Sequence, residues 1–242
     1  MMVRIISIAN QKGGVGKTTT AINLSACLAA GDKRVILIDM DPQANATSGL
    51  GIDKRSIPAS MYEVLVEQKP LQQTLRSSEI QLLELAPSHS DLLSADYQLA
   101  SMNLGAKQLQ RVVSQFLWNC SADELPAYII IDCPPSVGYL TINALLASDS
   151  VIIPVQAEYY ALEGLTELFD SMSLLRQQHN PKLALEGILL TMADTRTTLA
   201  RQVEDEIRSV YTEAVFETKI PRSVRLSGAA RHGKSIILYD VQ

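Results

Sequence analysis

The chain has few cysteines and no long apolar run, and each shortage argues against certain classes of protein. Its three cysteines, Cys27, Cys120 and Cys133, are odd in number and form no C-x-x-C pair, which argues against a disulfide framework and against a zinc or iron–sulfur site. We expect them to be small buried apolar residues. No segment approaches the roughly 18 apolar residues of a membrane-spanning helix, and MMVRIISIAN has too short an apolar run for a signal peptide. We therefore expect a cytoplasmic protein without a membrane partner.

Histidine and aromatic residues are also scarce. The three histidines, His89, His179 and His232, are scattered along the chain, and a lone histidine is more often a core or surface residue than a metal ligand. We expect no metal that protein side chains hold by themselves. The aromatic content of 5% gives little support to base stacking on single-stranded nucleic acid. The remaining composition, 47% apolar and 19% charged over 242 residues, is typical of a globular protein.

Short β-branched runs alternate along the chain with longer helical patterns. Strands that are buried on both faces of a parallel sheet have continuous apolar sequences, and they need crossover helices between them. The pattern therefore predicts a doubly wound α/β fold, with a mostly parallel sheet flanked by helices. The predicted strands are VRIISIA from Val3, RVILID from Arg34, IQLLELAP from Ile80, AYIIID from Ala127, SVIIPV from Ser150 and LEGILLT from Leu185.

Two crossover helices have clear ends. One is predicted from Thr18 to the helix-ending Gly31, and the other from Glu163 to a point before Pro181. Between residues 61 and 117 the pattern is mostly helical apart from the strand near Ile80. Because the chain shows neither an internal repeat nor a linker-like composition, we expect residues 1–242 to form a single domain.

The segment NQKGGVGKTTT follows the first predicted strand and is similar to the phosphate-binding loop G-x-x-x-x-G-K-[ST]. The glycines Gly13, Gly14 and Gly16 would let backbone N–H groups approach phosphate oxygens. Lys17 would reach the β and γ phosphates, and the hydroxyl of Thr18 would bind Mg²⁺ at the start of a helix. The alternative is a glycine-rich turn without a ligand.

This loop departs from the pattern at two positions. Gln11 stands where the first glycine is expected, and the extra lysine Lys12 follows it. A cation in addition to Lys17 is unusual in such a loop, and a solvated surface lysine is the simplest alternative reading of Lys12.

Carboxylates follow two of the predicted strands. Asp132 ends the strand of IIIDCPP, a position from which an acidic residue holds Mg²⁺ through water. Asp39 and Asp41 end the second strand, and they point the same way if the strand continues through both. One of this pair would then be structural and the other catalytic. Asp41, which Pro42 follows, is the better candidate to orient the attacking water, although a strand-end carboxylate can also be a cap or a solvated turn residue.

Five segments in order, KGGVGKTT, DMDPQAN, IIIDCPP, PVQAEYYALEG and IPRSVRL, together resemble the deviant Walker A ATPases of the ParA/Soj chromosome-partitioning family, which are related to MinD. The resemblance covers nearly the whole chain and implies a P-loop ATPase that uses ATP or ADP and Mg²⁺. It makes Lys12 the family's signature lysine, which crosses a face-to-face homodimer to contact the partner's ATP. Slow hydrolysis by isolated monomers follows from that arrangement.

The resemblance also implies roles for individual residues. Asp41 matches the catalytic switch aspartate and Asp132 the Walker B aspartate, so Lys12, Lys17, Asp41 and Asp132 form the expected catalytic set. Ser223 stands where the family more often has asparagine, which changes the expected contact with the base. The nucleotide-binding residues implied are Lys12, Gly13, Gly14, Val15, Gly16, Lys17, Thr18, Thr19, Pro221 and Ser223.

A basic segment stands out in a chain of net charge −5. Residues 219–234 contain five cations and no acidic residue. Such a cluster is usually a solvated face or a set of local ion pairs, but the resemblance implies non-specific binding of double-stranded DNA and hence a nucleoid-associated protein. Arg196 and Arg225 match DNA-binding arginines of the family. Weaker candidates are Arg201, Arg222, Arg231 and Lys234.

The resemblance implies one further partner, a ParB-like centromere-binding protein that stimulates hydrolysis. The main rival is a MinD-like membrane-associated positioning ATPase, which needs a C-terminal basic amphipathic helix, and none precedes Gln242. A metallocluster carrier would need paired cysteines. A small-molecule ligase or kinase would need a second substrate site, which no motif marks.

Overall fold

Eight strands form one sheet in the structure, a computed structural model that describes residues 3–158, 161–194 and 198–240. The strands are β1 (Arg4–Ile8), β2 (Val35–Asp39), β3 (Arg76–Ser77), β4 (Leu83–Ala86), β5 (Tyr128–Asp132), β6 (Ser150–Gln156), β7 (Ala184–Ala193) and β8 (Val215–Pro221). Their order is β3-β4-β2-β5-β1-β6-β7-β8, and β3 alone pairs antiparallel within the described sheet. The predicted, mostly parallel sheet is confirmed.

Helices of the described residues cover both faces of this sheet. They are α1 (Lys17–Ala30), α2 (Asn45–Gly49), α3 (Met61–Leu65), α4 (Leu92–Ser101), α5 (Gln108–Asn119), α6 (Tyr139–Ala147), α7 (Ala161–Gln178), α8 (Thr198–Val210), α9 (Val224–Arg231) and α10 (Ile236–Tyr239). Short 3₁₀ turns lie at Leu71–Gln73, Gly105–Lys107 and Thr212–Ala214. Among these described helices, none combines the length and the apolar character that a bilayer span requires.

The strands are apolar throughout because both of their faces are buried. Ile36 and Ile38 of β2 belong to the apolar layer that α4, α5, α6 and α7 cover. Val35 and Leu37 of the same strand belong to the opposite layer, under α1 and α10. A strand between two helical layers gains apolar burial from every residue, so the continuous apolar run is the pattern that such a strand needs.

The two clear helix ends are confirmed. Gly31 ends α1, and its N–H donates to the carbonyls of Cys27 and Leu28. The other helix, α7, ends at Gln178, before Pro181. The strand expected from Ile80 begins only at Leu83, because a turn comes first in which the N–H of Leu83 donates to the carbonyl of Ile80.

Two strands have no counterpart in the sequence prediction. The two-residue β3 is too short to carry a periodic signal. The edge strand β8, VFETKIP, is exposed along much of its length and contains charged residues, so its apolar pattern is weak. Its Lys219 belongs to the basic segment, whose charged sequence predicts an exposed surface rather than a strand.

The expectation of three buried cysteines is wrong for Cys27. Cys133 is buried and Cys120 is half-buried, but Cys27 is exposed on α1. Cys27 borders an apolar groove between α1 and β8, which explains why an apolar-looking helix position is nevertheless open to solvent.

Candidate nucleotide-binding site

Three strands end side by side at the carboxyl edge of the sheet. Ile8 of β1 and Asp39 of β2 are both in register with Asp132 of β5. The loops that follow these strands therefore leave the sheet at the same edge, where open α/β sheets bind their ligands. The sheet thus brings together the phosphate loop and the carboxylates that the sequence predicts for the site.

The phosphate loop has open space above its glycines. A Cβ atom on Gly13 or Gly14 would meet no atom within 4 Å, so packing inside the described chain does not require glycine there. Gly14 and Gly16 have φ of +79° and +89°, which an L side chain would strain. The geometry suits a loop whose backbone N–H groups approach a ligand.

Two residues outside the predicted set anchor this loop. Asn10 donates from its side-chain amide to the carbonyl of Pro154 at 2.7 Å and accepts from the backbone N–H of Lys12 at 2.9 Å. Thr191 of β7 donates its hydroxyl to the carbonyl of Val15 at 2.7 Å. Asn10 could have been found from the sequence, because it is the polar residue that directly follows the first predicted strand. Thr191 lies 176 residues from its partner and carries no such local signal.

Lys17 points inward from the first turn of α1. It is 6% exposed, and its ammonium donates to the carbonyl of Lys12 at 2.9 Å. Burial lowers the pKa of Lys17, and the nearby carboxylate of Asp132 opposes that shift. A buried ammonium with one carbonyl partner keeps donors for phosphate oxygens.

Asp132 has a carboxylate that no described residue satisfies. The side chain is fully buried, and neither oxygen accepts a hydrogen bond from the described part of the chain. Burial raises the pKa of Asp132 well above its usual value, and the charge of Asp39 raises it further. The hydroxyl of Thr18 lies close enough to oppose this shift but outside hydrogen-bond geometry.

These groups fit a hydrated Mg²⁺ ion. An unpaired buried carboxylate is costly unless a cation or a donor satisfies it, and a Mg²⁺ with its water shell supplies both. Among the described residues no three acidic, histidine or cysteine side chains are placed to hold a metal by themselves. The arrangement therefore fits an ion shared between Thr18, water near Asp132 and nucleotide phosphates, which is the usual way proteins bind Mg²⁺.

Asp39 and Asp41 occupy different environments, because β2 does not continue through both. The strand ends at Asp39, because the side chain of that residue turns the following backbone by accepting the N–H of Asp41 at 3.1 Å. Asp39 is fully buried, and burial raises its pKa to about 6 against the opposing hydrogen bonds of Thr47. Asp41 lies at the start of the loop, where its Oδ1 accepts the N–H of Gln43 at 2.9 Å.

Lys12 lies at the outer side of the loop. Its side chain is 38% exposed, and its ammonium pairs with Oε2 of Glu158 at 2.5 Å. The loop thus carries two lysines with different surroundings: Lys17 points into the site, and Lys12 is at the surface.

Pro221 and Ser223 lie where β8 passes into α9. Ser223 is the N-cap of α9, and its hydroxyl oxygen accepts the N–H of Arg225 at 3.2 Å. Both residues line an apolar groove of about 560 Å³ that also contains Thr19 from α1. An apolar groove that begins at the phosphate loop suits a planar base.

The basic segment is largely paired with acidic residues. Arg225 contacts both carboxylate oxygens of Asp240 at 2.6–2.7 Å, and Arg222 is exposed. Of the segment's other cations, Arg231 is exposed, Lys219 contacts Glu204 at 2.5 Å and Lys234 lies 3.9 Å from Glu79. Outside the segment, Arg201 of α8 is also exposed. Arg196 lies outside the described residues. Among the described candidates for DNA binding, Arg222, Arg201 and Arg231 are exposed, and Arg225 is exposed but has an ion-pair partner.

Comparison with known proteins identifies the family. A family model described as an AAA domain matches residues 3–185. The chromosome partitioning protein ParA of Myxococcus xanthus is 50% identical over 239 residues, which are 99% of this chain and 82% of the relative. The chain belongs to the ParA/Soj family of chromosome-partitioning ATPases. The sporulation initiation inhibitor protein Soj of Bacillus subtilis is 49% identical over 239 residues, with 99% of this chain and 92% of the relative covered.

Solved structures agree with the ParA/Soj fold. A cobyrinic acid a,c-diamide synthase from Mycobacterium smegmatis with bound ADP and magnesium superposes with a TM-score of 0.84 at 36% identity, covering 96% of this chain and 91% of the other. A putative plasmid partition protein from Borrelia burgdorferi bound to AMPPNP gives 0.79 at 29% identity, with coverages of 99% and 96%. The septum site-determining protein MinD from Pyrococcus horikoshii, at 0.76 and 23% identity with coverages of 100% and 90%, shares the fold.

Proposed function

We propose that this ParA/Soj ATPase is an ATP-dependent dimer switch for DNA segregation. ATP joins two copies face to face, the dimer binds double-stranded DNA, and hydrolysis, slow until a ParB-like partner stimulates it, releases the DNA. The observation that carries the proposal is the open glycine loop beside Asp132, whose buried carboxylate has no hydrogen-bond partner among the described residues. Solved relatives with ADP and magnesium or with AMPPNP support the choice of ligand.

The proposed binding mode uses residues from three parts of the chain. The backbone from Lys12 to Thr19 surrounds the phosphates, and Lys17 donates to their terminal oxygens. Thr18 and, through water, Asp132 hold Mg²⁺, which when bound offsets negative charge on the phosphates. The base lies in the apolar groove at Pro221 and Ser223.

Hydrolysis in this proposal depends on Asp41 and Lys12. Asp41 lies at the carboxyl edge and orients the attacking water toward the phosphate. Lys12 of each copy reaches the nucleotide of the other, where a cation stabilises the charge that develops in phosphoryl transfer. The ion pair with Glu158 does not prevent this movement, because an exposed pair contributes only about 0–1 kcal/mol.

DNA binding is proposed for the surface around α9. Arg222 and Arg225 are exposed there, and Arg196 is included from the family resemblance. Such arginines contact phosphates without reading the sequence, so binding should weaken steeply with salt. A dimer presents two such surfaces, which couples DNA affinity to ATP and places the protein on the nucleoid in the cytoplasm.

We also propose that residues 1–242 form one ATPase domain. A single sheet connects β1 with β8. The C-terminal helices return to the phosphate loop side, where the N–H of Ile236 donates to Asn23 of α1 at 2.7 Å. Separation of the last helices from the rest would therefore expose the groove in which we place the base.

Retention of a duplex of random sequence tests the switch. We expect retention with Mg²⁺-ATP, little with ADP or without nucleotide, and steep loss of retention as salt increases. Asp41→Asn should prolong the retained state, because it blocks the step that ends it. Equal retention under all three nucleotide conditions would refute the coupling of ATP to DNA binding.

A further inference from the structure

The backbone of Asp41 is held from both sides by side chains. Its N–H donates to Oδ1 of Asp39 at 3.1 Å, and its carbonyl accepts from the hydroxyl of Ser88 at 2.6 Å. Ser88 lies 47 residues further along the chain, just after β4. The loop that carries Asp41 is therefore fastened to two neighbouring strand ends.

Thr47 closes these contacts into a ring. Its hydroxyl donates to Oδ2 of Asp39 at 2.7 Å, its own N–H donates to the same oxygen at 2.8 Å, and its hydroxyl oxygen accepts the N–H of Ser88 at 2.9 Å. Hydrogen bonds thus run through Asp39, Asp41, Ser88 and Thr47 and return to Asp39. The side chains of Asp39, Thr47 and Ser88 are fully buried.

When Asp39 is ionised, the ring allows one arrangement of protons. The oxygen of Thr47 receives an N–H from Ser88, so its own proton is free to point at the Asp39 carboxylate. The hydroxyl of Ser88 must donate, because the carbonyl of Asp41 can only accept. Fully satisfied buried networks are stiff and specify one geometry, since every alternative leaves a group unpaired. Asp41 also has its carboxylate directed by the N–H of Gln43.

We propose that Thr47 and Ser88 are positioning residues for ATP hydrolysis, which act by fixing the backbone of Asp41 through this ring. The inference rests on the proposed catalytic role of Asp41. Neither Thr47 nor Ser88 belongs to the phosphate loop, so they control the place of the water-orienting carboxylate and leave nucleotide binding to other residues. A displacement of about 1 Å at a catalytic group costs on the order of 100-fold in rate.

The test compares variants of Thr47 in the full chain. Thr47→Val keeps the shape and loses the hydroxyl, and we expect kcat for ATP to fall about 10- to 100-fold while KM changes less than about 2-fold. Thr47→Ser keeps the hydroxyl and should restore most of kcat. The matched control is Thr74→Val, which also removes a fully buried hydroxyl, one that donates to the carbonyl of Leu71 at 2.7 Å outside the ring.

A second pair of variants covers the possibility that Thr47→Val fails to fold. Ser88→Ala removes the donor to the Asp41 carbonyl and should lower kcat about 10-fold without raising KM. Its control is Ser148→Ala, which removes a buried hydroxyl outside the ring that donates to the carbonyl of Ala144 and accepts from the hydroxyl of Ser7. Melting temperatures of all variants separate loss of stability from loss of rate.

Apart from a fully active Thr47→Val, two outcomes would overturn the positioning role. One is an equal fall of kcat in the ring variants and in their controls at equal loss of melting temperature. The other is a rise of KM with kcat unchanged. Asp41→Asn in the same series separates the two hypotheses: wild-type hydrolysis by Asp41→Asn refutes the catalytic role of Asp41, whereas an inactive Asp41→Asn beside a fully active Thr47→Val refutes the positioning role alone.

Discussion

The carboxyl edge of the sheet, where we place the nucleotide and which we call the nucleotide edge, differs in construction from the basic segment of residues 219–234. At the nucleotide edge, buried hydrogen bonds from Asn10 and Thr191 fix the phosphate loop. In the basic segment the cations are exposed or half-buried, and Arg225 contacts an acidic neighbour at the surface. Burial therefore fixes the geometry of the nucleotide edge, whereas in the basic segment only the charge is fixed.

This difference matches what the two proposed ligands require. Phosphoryl transfer needs groups held to a fraction of an ångström, which only packed and hydrogen-bonded residues provide. Contacts with the phosphates of a DNA duplex need positive charge on flexible side chains and tolerate rearrangement. Substitutions at the nucleotide edge should therefore have large effects, and substitutions in the basic segment should have small ones that depend on salt.

The largest effect is expected for Lys17→Ala. The variant removes the buried ammonium that we propose donates to the nucleotide phosphates, so affinity for Mg²⁺-ATP should fall about 100-fold, which corresponds to about 3 kcal/mol. Isothermal titration calorimetry measures the change. Lys33→Ala, an exposed lysine just after α1, is the control and should bind as the wild type does. Equal affinities of the two variants would contradict the placement of phosphates at Lys17.

A second effect concerns stability against pH without nucleotide. Burial raises the pKa of Asp39 from 3.8 to about 6, so the folded state binds more protons than the unfolded chain between those values. Stability contributed at this site therefore falls as pH rises from about 4 to 6. The penalty, on the order of 3 kcal/mol, is absent below this window and complete above it.

Asp39→Asn removes this titration. Urea unfolding of the variant and of the wild type at several pH values from 4 to 7 should show the variant gaining up to about 3 kcal/mol relative to the wild type. The lost hydrogen-bond geometry adds an offset that does not depend on pH. A constant difference across the range would show that Asp39 is not held as a buried carboxylate.

The smallest effect is expected for Arg225→Gln in the basic segment. Its ion pair with Asp240 is at the surface, so the melting temperature should not change measurably. In the ATP dimer the slope of log DNA affinity against log salt should become shallower by about 2, because each copy loses one phosphate contact. Arg111→Gln on α5, on the opposite face of the sheet, is the control. An unchanged slope would remove Arg225 from the DNA surface.

The sequence predicts those parts of the molecule whose structure depends on residues that are close together in the chain. The apolar run from Arg34 predicts β2, and the glycines with Lys17 and Thr18 predict the phosphate loop, because each signal lies within a few residues. The carboxylate of Asp132 is placed by the strand that precedes it.

Two residues whose hydrogen-bond partners lie far along the chain carry no such local signal. Thr191 and Ser88 look like ordinary polar residues in the sequence, and only the sheet order brings them to the loops that they hold. The contacts of Ser88 with Asp41 and with Thr47 likewise join residues that are distant in the sequence. Cys27 is exposed rather than buried as expected, because an apolar groove leaves that side of α1 open to solvent.

The mass of the protein in solution with an unhydrolysed ATP analogue and Mg²⁺ tests the central claim most directly. Sedimentation velocity should show one copy without nucleotide and two with it for the wild type and for Lys33→Ala. Lys12→Ala should stay a single copy although calorimetry shows that it still binds the analogue. If Lys12→Ala formed dimers at the same concentration as the wild type, the cross-dimer role of Lys12 would be wrong.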